Sequence, residues 1–245
     1  MKTSVFNTIV LVVAFVFGYA IYEYTLPKFI KDGGPLVISL IALVIMLVAF
    51  ITERVLSLRK AQGKGNIPVF LKNVQQAVNS GDIDNALALC DRQRGSMANV
   101  IRSGLERYKM LVAEGDIKGQ KEMMEDIQRS IEEATMLEVP LLEKNLVSMS
   151  TIASIGTMVG LLGTVIGMIR AFQAMARAGA PDAVQLALGI SEALINTAGG
   201  LVAGIGGIVA YNFFVTKIDN FTYMIDEASY AIIQSLVSRK PSKSR

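Results

Sequence analysis

Glu192 stands near the head of a glycine-rich apolar run, GISEALINTAGGLVAGIGGIVAYN, that extends over residues 189–212. A carboxylate near hydrocarbon costs roughly 2.5–3.5 kcal/mol even on the lenient insertion scale, so such groups mark conduction paths, proton relays or buried pairs. Asn196 and Thr197 follow it little more than one helical turn later. In the preceding apolar run Ser150, Thr157 and Thr164 recur every seven residues, which on a helix drifts by only about 20° per step and draws one polar line. That line either faces a pore, or its hydroxyls bond the carbonyls four residues back along their own helix. Glu192 has a plainer reading too, as an interfacial carboxylate close to a helix N-terminus, where the dipole favours negative charge. Arg170, at the outer end of the earlier run, either snorkels to the headgroups or lines the rim of a passage, and an Arg170–Glu192 pair would serve both.

The elements that must position these groups are membrane spans. Residues are 52% hydrophobic over 245 positions, and the charged ones gather in one internal block and at the C-terminus. Four apolar segments stand out, at 5–22, 35–51, 146–172 and 187–215. The last two exceed the length that crosses a hydrocarbon core of about 30 Å. The first reads as a membrane anchor or a signal peptide, and the anchor is preferred because the apolar run continues past Gly18. Basic flanks tend to be cytoplasmic. Arg54, Arg59, Lys60 and Lys64 after the second span, and Arg239, Lys240, Lys243 and Arg245 at the end, therefore place both of those flanks inside. The loop from Arg177 onward then lies outside, with Gly179 and Pro181 marking a turn between two antiparallel spans and Asp182 in the first turn of the next helix.

The polar block has nearly matched acids and bases, as does the whole chain at 24 basic and 21 acidic residues, so it lacks the basic stripe of a nucleic-acid binder. It reads as a cytoplasmic helical domain. Asn79-Ser80-Gly81-Asp82 breaks one helix and starts another, Gly95-Ser96 starts a third, and beyond Gly115 and Gly119 a three-and-four spacing from Met123 to Leu141 sets a long one. Only Pro140 interrupts the path from there into the third span, so one continuous, kinked helix is expected. With no histidine, one cysteine, no nucleophile elbow and no phosphate loop, the sequence offers neither enzyme chemistry nor a metal or cofactor site. Cys90 reads as a small packing residue.

Small residues order the two long spans. Gly156, Gly160, Gly163 and Gly167 recur at four, three and four positions, one face on which another backbone can approach closely. In the fourth span Glu192, Asn196, Gly199, Ala203 and Gly206 share a stripe, with Thr197, Gly200 and Gly204 beside it. The fold expected is an all-α integral membrane helical bundle whose long helices extend into the cytoplasmic domain. Its parts are an N-terminal segment over 1–33, a transmembrane helix over 34–57, the cytoplasmic helical domain over 58–145, a transmembrane hairpin over 146–216, and a cytoplasmic C-terminal helix with its basic tail over 217–245.

Gly160-Leu-Leu-Gly-Thr-Val-Ile-Gly-Met-Ile169 with Ala171-Phe172, and Ser191-Glu-Ala-Leu-Ile-Asn-Thr-Ala-Gly-Gly-Leu201 with Tyr211-Asn212, resemble the second and third core-span signatures of the MotA/TolQ/ExbB proton-channel family. They occur in the family's order, after a Gly-Asp-Ile-Asp-x-Ala-Leu helix pair, and the resemblance covers residues 35–231. The ExbB and TolQ branch is the nearer likeness, since three core spans follow one extra N-terminal segment. The resemblance implies a multi-pass protein of the bacterial inner membrane. It also implies a homopentamer around an ExbD-like single-span partner that carries a membrane aspartate, passing proton-driven work to a TonB-like transducer. Thr164, Thr197 and Glu192 match the family positions that flank that aspartate, whereas the family's span prolines are replaced by Gly156-Thr157 and by Gly206-Gly207.

Thr164 and Thr197 are each expected about 8–12 Å below the outer rim, level with each other, as part of a polar ring around the partner carboxylate. From Glu192 to Tyr211 is roughly 28 Å of helix, which sets the glutamate at the outer mouth as a gate or guide rather than the buried carrier. The chain has no aspartate in its apolar helices, so alone it is expected to conduct poorly. TolQ-like envelope maintenance, a motility stator and a non-conducting scaffold surrounded by membrane lipids are the alternatives.

Overall fold

A computed structural model describes residues 3–114, 120–176 and 182–238, and every element among them is helical. In chain order these are α1 (Thr3–Tyr24), α2 (Lys28–Lys31), α3 (Leu36–Gln62), α4 (Ile67–Ser80), α5 (Ile83–Gln93), α6 (Ser96–Glu114), α7 (Gln120–Glu143), α8 (Leu146–Met175) and α9 (Ala183–Ser238). The fold is an all-α helical bundle. Arg177, the turn at Gly179 and Pro181, the breaks at Gly115 and Gly119, and the tail bearing Arg239, Lys240, Lys243 and Arg245 lie outside the described residues.

The chain divides into two compact units, 1–54 with 145–214, and 55–144 with 215–245. Among the described residues three helices are long and apolar enough to cross a membrane, within 36–80, 121–175 and 183–236, while residues 8–24 form a shorter apolar helix. Only 28–33% of each apolar window is buried. Most of that apolar surface, including Leu161, Leu162, Val165, Leu201, Val202 and Ile205, is exposed in the single chain.

Within the first unit α8 and α9 pack at the limit that backbone allows. A Cβ on Gly156 would lie 2.8 Å from Ala203 Cβ, and one on Gly160 would lie 2.8 Å from Gly200 Cα. One on Gly163 would meet Asn196, and one on Gly167 would lie 2.6 Å from Ala193 N. Partners on α9 descend as positions on α8 rise, so the two helices are antiparallel. Gly199 and Gly206 turn elsewhere. Their Cβ positions meet Leu40 and Leu47 of α3, so the α9 stripe drawn from sequence divides between two neighbours. Helix α1 lies on α3 at Gly18, whose Cβ would sit 3.2 Å from Ile38 O.

The expected continuous helix through Pro140 does not form. Pro140 lies inside α7 and is tolerated there, and the break comes instead at Asn145, which adopts φ 66° and ψ 0° just before α8. Asparagine tolerates this left-handed conformation better than most side chains, so a single residue interrupts the helical backbone.

The second unit is a set of amphipathic helices joined by short caps. Gly81 closes α4 at φ 89°, its N–H donating to Ala77 O (3.0 Å), and Asp82 opens α5 by accepting from Asn85 N at 3.0 Å. Helix α6 lies on α7 at Gly104, where a Cβ would be 2.6 Å from Ile131 Cδ1. Beside it Ser103 Oγ and Ser130 Oγ are hydrogen bonded at 2.8 Å. Cys90 is 2% exposed, and burial, with Asp91 alongside, pushes its thiol up from the ordinary 9.0 to about 12. It is a neutral packing group at physiological pH.

Two outcomes follow. Gly160→Val is expected to destabilise the solubilised protein by about 1–3 kcal/mol in thermal unfolding, whereas Leu161→Val on the exposed face stays within about 0.5 kcal/mol. The raised Cys90 pKa means that the folded state holds a proton the unfolded state loses. Its contribution is therefore intact below pH 9.0 and lost as pH climbs toward about 12. Unfolding midpoints measured across that window are expected to fall less steeply for Cys90→Ala than for the parent chain.

Candidate functional site

The groups singled out in the spans gather at two depths of the α8–α9 hairpin. Asp182 caps the start of α9, its Oδ1 accepting from Val184 N and Gln185 N at 3.1 Å each, so it lies just ahead of the helix rather than in its first turn. Helix α9 then begins at Ala183, which puts Glu192 in its third turn. A helix dipole fades within the first turn, so the N-terminal explanation for this carboxylate fails.

An ion pair takes its place. Arg170 Nη1 donates to both Glu192 oxygens at 2.6 Å. Glu192 is 5% exposed, while the Arg170 side chain is 53% exposed, so the pair is buried on its acidic side and open on its basic side. The chain ahead of α3 completes the nest. Gly34 has φ +74°, and a Cβ there would lie 2.7 Å from Glu192 Oε1, so only glycine meets both demands. Asn196 Nδ2 donates to Gly33 O at 2.7 Å and to Glu192 O at 2.9 Å, tying this turn to α9. Asn196 is fully buried, and its Oδ1 has no hydrogen-bond partner among the described residues.

One turn deeper, Thr164 Oγ1 and Thr197 Oγ1 are in hydrogen-bond contact across the hairpin. The close backbone approach of Gly160 and Gly163 permits this, and it puts the two hydroxyls at one level. Each also points at a carbonyl of its own helix, Thr164 at Gly160 O (3.2 Å) and Thr197 at Ala193 O (2.9 Å). Two hydroxyl hydrogens thus serve three acceptors, since the pair can also bond internally. If one threonine donates to the other, a backbone carbonyl gives up its hydroxyl donor. If both donate to carbonyls, their lone pairs face each other. Rotation about the two hydroxyl bonds exchanges these states.

The remaining members of the polar line are not brought in. Thr157 Oγ1 donates to Ala153 O at 2.8 Å and lies against Gly204, and Ser150 is exposed, away from the threonine pair. Back-bonding therefore accounts for Thr157, and coexists with the inter-helix contact for Thr164 and Thr197.

Sequence reasoning missed a buried cluster in the same unit. Arg54 is 1% exposed, with its Nε and Nη2 donating to Glu53 at 2.7 and 2.6 Å, and Asn145 Nδ2 donates to Glu53 Oε2 at 3.1 Å. It also missed the Gly33-Gly34 turn, although two adjacent glycines before Pro35 are a legible sign of unusual backbone. Among the described residues no group of acidic, cysteine or histidine side chains is arranged to hold a metal ion.

The family model for the MotA/TolQ/ExbB proton channel family matches residues 92–227. This is narrower at its start than the resemblance over residues 35–231, and it includes all of α8, the Thr164–Thr197 pair and Glu192. No curated protein matches the chain.

The ion pair predicts an asymmetry. Arg170→Ala strands a buried carboxylate and is expected to cost on the order of 1–3 kcal/mol in thermal unfolding, discounted for the exposure of the arginine. Glu192→Gln leaves a neutral group that still accepts from Arg170, and is expected to cost less than half as much.

Proposed function

Because the chain belongs to the MotA/TolQ/ExbB proton channel family, we propose that it is the pore-forming subunit of an inner-membrane proton-driven motor that works through an ExbD-like partner. The observation that carries this reading is the Thr164–Thr197 hydroxyl contact, set level between two closely packed spans. Hydroxyls at that depth stabilise an ionised carboxylate by hydrogen bonding, and release it when it is protonated. This chain supplies no aspartate in its apolar segments 5–22, 35–51, 146–172 and 187–215, so the titrating group belongs to a single-span partner held against the hairpin.

The Arg170–Glu192 pair acts at the outer end, as a guide for protons or a gate. With its acidic side buried and its basic side exposed, it holds a fixed charge pattern near the mouth and leaves the deeper threonines to the carrier. Asn196 links this pair to the threonine level, because its backbone neighbours both and its amide anchors the Gly33 turn.

The output we favour is of the ExbB kind, with work passed to a TonB-like transducer that energises outer-membrane transport. Three long apolar helices preceded by a shorter one support it, as does the large set of helices between the spans. A homopentamer surrounded by membrane lipids suits the exposed apolar faces of α8 and α9. TolQ-like envelope maintenance and motility use the same core chemistry and differ in the partner's outer domain.

Thr164→Val and Thr197→Val keep side-chain shape and remove the hydroxyl. At normal expression and assembly each is expected to lower partner-dependent proton flux by about 10-fold or more, a range set by the loss of a hydrogen bond to a charged group. Thr→Ser at either position is expected to retain most of it. Unchanged flux in both valine variants would remove the hydroxyls from the mechanism.

A further inference from the structure

The second unit contains a cavity of about 560 Å³ whose chemistry the channel reading does not use. It forms where the end of α3 meets the start of α6. Lys64 N donates to Gln93 O at 2.6 Å, and Gln93 Nε2 donates to Gln62 O at 3.2 Å, clamping the loop after α3 onto the loop before α6. Gly63 and Gly95 meet backbone to backbone there, at φ +77° and +95°, with no room for a Cβ on either. This crossing brings Lys60, Lys64 and Arg94 to the wall of one cavity, together with Ser96 and Asn99 of α6.

Those three cations form no ion pair or side-chain hydrogen bond among the described residues. The single carboxylate on the wall, Glu138, is held by Asn99 Nδ2 at 2.7 Å. Helix α6 runs for 19 residues, and its first amide with a backbone partner is that of Asn99, on Gly95 O at 3.0 Å. The amides of Ser96, Met97 and Ala98 are left as donors, at the positive end of the helix dipole. Ser96 itself lines the cavity at 5% exposure, and its hydroxyl has no hydrogen-bond partner among the described residues. The unpartnered hydroxyl and amide of Ser96, with three uncommitted cations, are complementary to a compact oxyanion. Leu141 and Leu142 on the same wall suit an attached organic group.

We propose that this cavity binds a phosphate ester, with the phosphate on the α6 N-terminus and Ser96, and Lys60, Lys64 and Arg94 closing around its charge. The ester is either an anionic phospholipid headgroup or a free soluble phosphate compound. The site is independent of the threonine pair, so its loss leaves the hairpin chemistry unaltered.

The full chain in a non-ionic detergent at low ionic strength is titrated calorimetrically with inorganic phosphate and, separately, with dihexanoyl phosphatidylglycerol, using dihexanoyl phosphatidylcholine as the headgroup control. Saturable binding is expected, weakened by added salt and about tenfold weaker in Lys64→Gln. Arg94 sits at φ 54°, so Arg94→Gly removes a charge while relieving backbone strain, and its unfolding midpoint is expected to match or exceed that of the parent. The same tenfold loss is expected in that variant. Binding of phosphatidylglycerol alone identifies the headgroup as the source, and binding of phosphate alone identifies a soluble ester. The proposal is overturned if neither probe binds, or if the Lys64→Gln/Arg94→Gly double variant binds both as well as the parent chain does.

Discussion

The close contact of α8 with α9 is the constraint on which the rest of the hairpin depends. Gly156, Gly160, Gly163 and Gly167 remove side chains along one face of α8, so the backbone of α9 comes to rest against that of α8 at Gly160 and Gly200. In a membrane the hydrophobic effect gives little preference for helix over lipid, so this close van der Waals contact supplies the association. It also fixes register. A shift of one turn would drive Ala203 or Asn196 against a different neighbour and separate Thr164 from Thr197.

Two kinds of polar interaction then use the fixed register differently. The Arg170–Glu192 pair is oriented, one guanidinium nitrogen reaching both carboxylate oxygens with the Gly34 turn built around them, and it suits a permanent feature of its end of the hairpin. The threonine pair is degenerate, with fewer hydrogens than acceptors, so more than one hydrogen-bonding arrangement is open to it. In the proposed mechanism the second kind serves where the carrier moves, and the first kind where it does not. Cys90, neutral and buried in the other unit, has no part in either.

Much of this was legible in the sequence because it repeats with helical period. The four-three-four glycine spacing marked the packed face of α8, and amphipathic spacing marked the helices between the spans. The α9 stripe was only half legible. Periodicity groups residues by direction but does not say which neighbour lies that way, so Gly199 and Gly206 were grouped with residues facing α8 although they face α3. The break at Asn145 was hidden because proline is the louder signal, yet Pro140 is accommodated while Asn145 takes the left-handed conformation. Arg54 was read only as part of a basic cytoplasmic flank, because Asn145, which shares its Glu53 partner, is 92 positions from that glutamate along the chain. Long-range burial of a charge leaves no local trace.

Proton flux across liposomes is the measurement that bears most directly on the central claim that this hairpin forms a channel around a partner's carboxylate. The chain is reconstituted alone and with a single-span partner carrying a membrane aspartate, under an imposed pH gradient. The account predicts little flux for the chain alone and a large, aspartate-dependent increase with the partner. Equal flux with and without that partner, or none in either case from a correctly assembled complex, would contradict it.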